Sequence, residues 1–213
     1  TATYLGRFND HDLFITVNHI VGDLCPMKDG ISPLVLKNAL LSPTAQWRCK
    51  RVLFQQNDID TAIISVIPDN EAANDLLTSL KPSRLTQVPT ELRTPLTLLG
   101  YGSYRNPNYI LNEEDSMACV TLAPHGAHLI ADPDREWQGK QRVWSMPVGC
   151  DSSRGDSGAP LYIRGTNLIT GVLWTSGYRG HDLRDVDLIQ VYEKAPKRVW
   201  TDFSYIVPAS TIL

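Results

Sequence analysis

The sequence has little of what marks a membrane protein or a nucleic-acid-binding protein. It contains no apolar run near the roughly 20 residues that a membrane-spanning helix needs. Lysine and arginine number 20 against 23 aspartates and glutamates, which leaves a net charge of -3. A basic surface able to bind phosphates is therefore not expected. We predict neither a membrane nor a nucleic acid as a partner.

Cysteine is also scarce, with four residues in 213, at Cys25, Cys49, Cys119 and Cys150. Their spacing fits no zinc-binding pattern. No metal site and no cofactor is predicted. Four cysteines allow three sets of disulfide pairs, and sequence alone does not choose among them. We favour Cys25 with Cys49 and Cys119 with Cys150 if bridges form, and free buried thiols are an equal alternative.

Short segments rich in β-branched and aromatic residues fill most of the chain. Examples are "DLFITVNHIV", "TAIISVI" and "APLYIRG", and turn-forming residues border most of them. This texture is typical of an all-β sandwich or barrel. Residues 70–80 are the best helical candidate, and prolines interrupt the stretch that follows. We therefore place a domain boundary between residues 68 and 95, with a first domain at 1–80 and a second at 81–213.

The stretch "CDSSRGDSGAP", residues 150–160, surrounds Ser157 with glycines. A serine hydroxyl attacks a carbonyl only when a base takes its proton. The attacked carbonyl also needs N–H donors where its oxyanion forms. Glycine lets the backbone approach a substrate closely, so the Gly155 and Ser157 amides are candidate oxyanion donors. The alternative for a Gly-Asp-Ser-Gly string alone is a tight surface turn.

The longer string resembles the nucleophile segment of the trypsin/chymotrypsin family of serine proteases. The resemblance implies two six-stranded antiparallel β-barrels with the active site between them. It also implies a catalytic histidine and aspartate that precede the serine. "GRFNDHDLFITVNHI" resembles the family's hairpin that leads to its catalytic histidine, which points to His19. His11, His125, His128 and His181 are read as structural or exposed.

Two aspartates compete for the third catalytic role. In the family the acid opens a strand of the form Asp-x-Ala followed by aliphatic residues. Asp60 begins "DTAIISV", which fits that form, whereas Asp58 fits the family's Asn-Asp-Ile wording. We favour Asp60, whose carboxylate would hold the His19 tautomer and stabilise the imidazolium.

The residue six before the nucleophile lies at the base of the family's primary specificity pocket. Here it is Asp151, which resembles the pocket of trypsin-type enzymes that take arginine or lysine. Arg198 falls where such pockets normally have glycine. The alternatives to a basic pocket are that Arg198 fills it, that Arg198 pairs with Asp151, and that Asp151 is an ordinary turn aspartate. The predicted substrate-binding residues are Asp151, Arg154, Thr175, Ser176, Gly177 and Arg198.

In the animal enzymes of the family, a freshly cut N-terminus pairs with the aspartate just before the nucleophile. Asp156 stands at that position, but the chain opens only 18 residues before His19. We expect Thr1 to lie far from Asp156. An internal partner is predicted for Asp156 instead, with Arg142 and Arg154 as candidates.

The combined prediction is a trypsin-like serine endopeptidase that acts on proteins or peptides. We expect a monomer that is secreted or periplasmic. One alternative is a non-catalytic binding protein that retains the protease fold. Another is a protease whose specificity is not for basic residues.

Overall fold

A computed structural model describes residues 1–25, 32–38, 42–87, 91, 93–102, 111–122, 128–131, 142–153, 155–176 and 203–212. Nearly all regular structure in these ranges is antiparallel β-sheet. The helices described in them are too short to cross a membrane.

The first sheet has five described strands in the order β1-β2-β5-β4-β3. Buried apolar side chains set its register, because a slip of one residue would turn them to solvent. Its core contains Phe14, Trp47 and Ile64. The strands are β1 (Thr3–Phe8), β2 (His11–Val17), β3 (Val35–Asn38), β4 (Ser42–Gln56) and β5 (Thr61–Pro68).

Two helices flank this sheet. The short α1 (Asn18–Val21) follows β2 directly, and α2 (Glu71–Ser79) follows β5. The Asn70 side chain accepts a hydrogen bond of 2.9 Å from the Ala73 amide, which caps the start of α2. The helix predicted for residues 70–80 is therefore present.

The second sheet has eight described strands, all from the second half of the chain. Seven of them follow the order β8-β7-β11-β12-β13-β10-β9, and β6 pairs in parallel with β12. The strands are β6 (Arg84–Leu85), β7 (Leu96–Gly100), β8 (Asn112–Glu114), β9 (His128–Ala131), β10 (Arg142–Val148), β11 (Pro160–Ile163), β12 (Leu168–Ser176) and β13 (Ser204–Pro208).

A buried cluster joins the two sheets. Ile15, Val17 and Ile59 of the first half pack against Trp174 and Phe203 of the second half. All five side chains are at most 2% exposed. This contact fixes the ends of β2 and β5 against the second sheet, where the candidate site lies.

Both predicted disulfides are present, and the alternative of free thiols is wrong. Cys25 is bonded to Cys49 and Cys119 to Cys150. The first bridge ties the segment after α1 to β4. The second ends one residue before Asp151, so it anchors the start of the serine-containing stretch.

The all-β class is confirmed, but the closed six-stranded barrels are not seen. Within the described ranges, both sheets remain open, with five and eight strands. The edge strand β3 was not predicted, because four residues are too few to show a clear alternation. The sequence also predicts a strand at "DLIQVY", residues 187–192, which lies outside the described residues, and the proposed domain boundary stays a prediction.

Candidate active site

Strand register brings His19 and Asp60 together. β2 ends at Val17 and β5 begins at Thr61, and these two residues are register partners in adjacent antiparallel strands. The side chain two residues after Val17 therefore lies near the one just before Thr61. His19 Nδ1 is 2.6 Å from Asp60 Oδ2, and the His19 amide donates to Asp60 Oδ1 at 2.8 Å. Asp60, rather than Asp58, is the aspartate in contact with His19.

The Asp60 carboxylate is fully buried, with 0% exposure. A buried charge is costly unless it is paired and hydrogen-bonded, and here both oxygens have partners on His19. The Asp60 backbone has a φ of 39°, in the left-handed region that aspartate tolerates better than most residues. Its carbonyl accepts a 2.9 Å hydrogen bond from the Asn18 amide. Hydrogen bonds of both the side chain and the backbone carbonyl of Asp60 therefore fix this turn.

Neighbouring residues fix the turn that carries Asp60. The Asn18 side chain donates to Asn57 Oδ1 at 2.6 Å and accepts from Gln55 Nε2 at 2.5 Å. On the side facing the second sheet, the Trp144 amide donates to the Asp58 carbonyl at 3.0 Å. Both sheets thus contribute to the position of the carboxylate.

This arrangement suits His19 to act as a base. A carboxylate on Nδ1 favours the tautomer whose proton is on Nδ1, which leaves the Nε2 lone pair available. The His19 side chain is 16% exposed while its Asp60 partner is buried. The imidazole is therefore within reach of a substrate.

The serine loop, residues 149–159, connects β10 to β11 and presents Ser157 between two glycines in the left-handed region. Gly155 has a φ of 95° and Gly158 a φ of 83°. The amides of Gly158 and Ala159 donate to Leu173 and Asp156 carbonyls, both at 2.7 Å. Within the described part of the chain, the Gly155 and Ser157 amides donate no hydrogen bond.

The Asp156 carboxylate stabilises the serine loop through hydrogen bonds to Ser153. Its Oδ2 accepts from the Ser153 amide at 2.8 Å and from the Ser153 hydroxyl at 3.2 Å. A methyl group at Gly100 or Gly102 would overlap the Asp156 carboxylate, so both positions require glycine. Ser153 is thus an internal partner of Asp156, while Arg154 and the Arg142 side chain lie outside what the structure describes.

Thr1 lies against the serine loop, so the expectation that it is far from Asp156 is wrong. Its ammonium donates to the Ser157 carbonyl at 2.6 Å, across 156 positions of sequence. Burial lowers the pKa of this group from 8.0 to about 6, and the negative charge of Asp156 partly opposes the shift. The Thr1 carbonyl accepts a 2.7 Å hydrogen bond from the Thr16 hydroxyl of β2.

These contacts place the serine loop beside Thr16, which lies near the end of β2 and three residues before His19. A methyl group at Gly158 would overlap Thr1 and the Thr16 hydroxyl. The structure nevertheless records no hydrogen bond between His19 and Ser157 in the described residues. Catalytic hydrogen bonds are often long in the absence of substrate.

The residues assigned to substrate binding are only partly described. Asp151 is half-buried and follows Cys150, whose carbonyl accepts from the Ser204 hydroxyl at 2.6 Å. Ser204 also pairs across the sheet with Ser176, next to Thr175. The structure therefore brings Asp151 near the strand of Thr175 and Ser176. Arg154, Gly177 and Arg198 lie outside the described residues.

The sequence did not single out several residues that shape this site. Thr1, Thr16 and Asn18 had no local signal, because their contacts join distant parts of the chain. Gly100 and Gly102 lie at the end of the strand-like segment "LTLLGYG". Their spacing of two beside a buried aspartate is the signal that could have been used.

Within the described ranges, His, Cys, Asp and Glu side chains form no cluster that could hold a metal ion. The two packed antiparallel sheets, with the histidine and serine at their junction, define a chymotrypsin-like fold. Comparison with known proteins by sequence found no matching family model and no matching curated protein.

Solved structures do match in three dimensions. The Rv3671c protease in its inactive form has a TM-score of 0.56 at 16% identity, over 99% of this chain and 78% of that one. Its active form, from M. tuberculosis, has a TM-score of 0.52 at 14% identity, over 94% and 66%. Deg5 has a TM-score of 0.53 at 14% identity, over 100% and 82%. The chain thus shares the fold of these proteins.

Proposed function

We propose that the protein is a serine endopeptidase with His19, Asp60 and Ser157 as its catalytic residues. The observation that carries the proposal is the contact between His19 and a fully buried Asp60, at the junction where the serine loop also lies. The names of the matched Rv3671c structures, which are proteases, support the same reaction class.

In the proposed reaction His19 Nε2 takes the proton from Ser157 Oγ as that oxygen attacks a peptide carbonyl. The Gly155 and Ser157 amides, which have no protein acceptor in the described residues, stabilise the oxyanion. His19 then protonates the leaving amine, and the peptide bond breaks. Water hydrolyses the acyl-enzyme with the same base, which restores Ser157.

The proposal includes a preference for substrates with a basic residue on the acyl side of the scissile bond. Asp151 accepts a lysine or arginine side chain on the acyl side of the scissile bond, near Thr175 and Ser176. A charged side chain that moves from water into a pocket needs a partner of opposite charge to offset its desolvation. A carboxylate provides this partner for lysine or arginine. Asp151→Ser in a peptide-library cleavage profile should remove the preference for basic residues. A profile unchanged by this substitution would refute the basic pocket and leave the peptidase intact.

We also propose that the protein acts outside the cytoplasm, secreted or periplasmic, as a monomer. Its two disulfides support this location, because such bonds persist mainly in oxidising compartments.

Turnover of an unfolded protein substrate tests the reaction. Ser157→Ala should lower kcat by a factor on the order of a million, because the nucleophile is lost. Ser79→Ala, at the exposed end of α2, is the matched control and should keep full activity. Full turnover by Ser157→Ala would exclude the mechanism.

A further inference from the structure

Asn18 is the residue directly before His19, and its side chain is buried, with 7% exposure. It begins α1 just after Val17, which is the register partner of Thr61 at the start of β5. A side-chain amide has two N–H donors and a carbonyl acceptor, and burying them costs free energy unless they find partners. The partners of this amide therefore indicate what the side chain does.

The Asn18 side chain connects the end of β2 with the end of β4. β5 lies between these two strands in the sheet. Asn18 Oδ1 accepts from Gln55 Nε2 at 2.5 Å, and Asn18 Nδ2 donates to Asn57 Oδ1 at 2.6 Å. Gln55 is on β4, and Asn57 is the first residue of the turn that leads to Asp60. One side chain thus joins three segments around the start of β5.

The backbone of Asn18 holds the other end of the same turn. Its amide donates to the Asp60 carbonyl at 2.9 Å, and the Asp60 amide donates to the Asn57 carbonyl at 3.2 Å. Asp60 has a φ of 39°, and such a backbone conformation persists where surrounding contacts over-determine it. Asn18 therefore contacts both ends of the turn 57–60, and the next residue in the chain is the histidine that Asp60 contacts.

We propose that Asn18 is a positioning residue that holds His19 and Asp60 as one unit. It is not a reacting group and acts through the 2.6 Å contact between His19 Nδ1 and Asp60 Oδ2. Its side-chain bonds to Asn57 and Gln55 keep the turn from relaxing and so keep the carboxylate aimed at Nδ1. This inference rests on the proposed peptidase function and adds to it a residue outside the three catalytic ones.

Asn18→Ala tests the inference, because it removes both side-chain hydrogen bonds and keeps the backbone amide. For the unfolded protein substrate, kcat should fall about 10–100-fold while KM stays within about twofold, since substrate still binds but the base is misplaced. The reaction of Ser157 with a fluorophosphonate should slow by a similar factor. This second rate does not depend on the choice of substrate.

Asn70→Ala is the matched control. Asn70 also uses its side-chain amide twice, since Oδ1 accepts from the Ala73 amide at 2.9 Å and Nδ2 donates to the Thr44 carbonyl at 2.8 Å. It lies at the exposed start of α2, away from the turn of Asp60. Both variants lose two hydrogen bonds and should lower the urea midpoint. Only Asn18→Ala should lose activity, which separates positioning from a general loss of stability.

Proton NMR reports on the His19–Asp60 pair directly. The proton of a short, charge-assisted hydrogen bond resonates downfield of ordinary N–H protons. The His19 Nδ1–H should give such a signal in wild type and in Asn70→Ala. In Asn18→Ala the signal should move upfield or be lost through exchange with water. A purely structural role for Asn18 would lower the urea midpoint and leave this signal in place.

Gln55→Ala is the second variant if Asn18→Ala fails to fold. Gln55 is exposed, and the substitution removes one of the two side-chain bonds of Asn18. It should lower kcat a few-fold, leave KM unchanged and move the His19 signal in the same direction. An unchanged kcat and an unchanged signal in this variant would overturn the inference.

The outcomes for Asn18→Ala separate the two proposals. Turnover by wild type and a kcat of Asn18→Ala within about twofold of it would overturn the inference and leave the peptidase proposal standing. Equal losses of kcat in Asn18→Ala and Asn70→Ala, or an unchanged His19 signal in Asn18→Ala, would also overturn it. No turnover by wild type, with no reaction of Ser157 toward the fluorophosphonate, would overturn the peptidase proposal and with it the inference.

Discussion

The two halves of the candidate site are held in different ways. His19 and Asp60 stand at the paired ends of two regular strands, and their contacts are side-chain hydrogen bonds. Ser157 stands in an irregular loop, where glycines at positive φ and the buried Thr1 ammonium fix the backbone. Strand register thus positions His19 and Asp60, the proposed base side, whereas close backbone packing positions Ser157, the serine side.

This difference predicts different vulnerabilities. The base side should depend on the chemistry of one carboxylate and tolerate changes beside it that leave its hydrogen bonds and those of Asn18 in place. The serine side should depend on volume, since a single added methyl group meets backbone atoms there.

Asp60→Asn should have the largest effect among the changes that test how each half is held. The amide NH₂ would face His19 Nδ1 and favour the tautomer whose proton is on Nε2, which cannot accept the Ser157 proton. We expect kcat to fall about 10⁴-fold while the protein stays folded. Steady-state kinetics and thermal unfolding measure both quantities.

Asp58→Asn is the control for this change, because Asp58 contributes its backbone carbonyl to Trp144. Its kcat should stay within a few-fold of wild type. Equal losses in the two variants would mean that strand register does not select the acid.

Gly158→Ala tests the serine side. The added methyl group would overlap the Thr1 carbonyl and the Thr16 hydroxyl, and the residue has a φ of 83°. Gly165→Ala is a matched control, because Gly165 has a φ of 75° but nothing within 4 Å of its added methyl group. Both substitutions therefore place an alanine at a positive φ and strain the backbone to a similar degree. Only Gly158→Ala also crowds neighbouring atoms.

We expect Gly158→Ala to lose about 1–3 kcal/mol more unfolding free energy than Gly165→Ala. Urea denaturation of the two variants gives this difference directly. Equal midpoints would show that the serine loop does not depend on close packing against Thr1 and Thr16.

Burial of the Thr1 amine gives the stability of the serine side a pH dependence. Its pKa is about 6 in the folded protein and 8.0 as its ordinary value. The unfolded chain therefore binds more protons between these values, so stability is highest above pH 8 and decreases as the pH falls toward 6. The loss is about 2 kcal/mol.

Acetylation of the Thr1 amine is the control, since the amide keeps an N–H for the Ser157 carbonyl but does not titrate. Urea denaturation between pH 5.5 and 8.5 should show the smaller dependence in the acetylated protein. Parallel curves would contradict the buried position of the amine.

The sequence predicts most of the regular structure around the base. β2 and β5 have the content of β-branched and aromatic residues that marks strands, and His19 and Asp60 lie just beyond their paired ends. The alanine two residues after Asp60, where the family's Asp-x-Ala form requires it, also distinguishes Asp60 from Asp58. In the structure, the aspartate in contact with His19 is Asp60. The catalytic roles themselves stay predictions.

The serine side is harder to read from sequence. The motif around Ser157 is local, but the contacts that hold it come from Thr1, Thr16 and Gly100, far away in the chain. The alternation of apolar and polar residues along a strand does not predict contacts between residues so far apart in the chain. The family resemblance also implies closed barrels, whereas the described strands form open sheets of five and eight strands.

Labelling with a fluorophosphonate tests the central claim most directly, because this probe reacts with an activated serine. Mass spectrometry of the folded protein should find one adduct, at Ser157, and His19→Ala should slow its formation by several orders of magnitude. The absence of an adduct at Ser157, or equal labelling in His19→Ala, would contradict an active site assembled from these two halves.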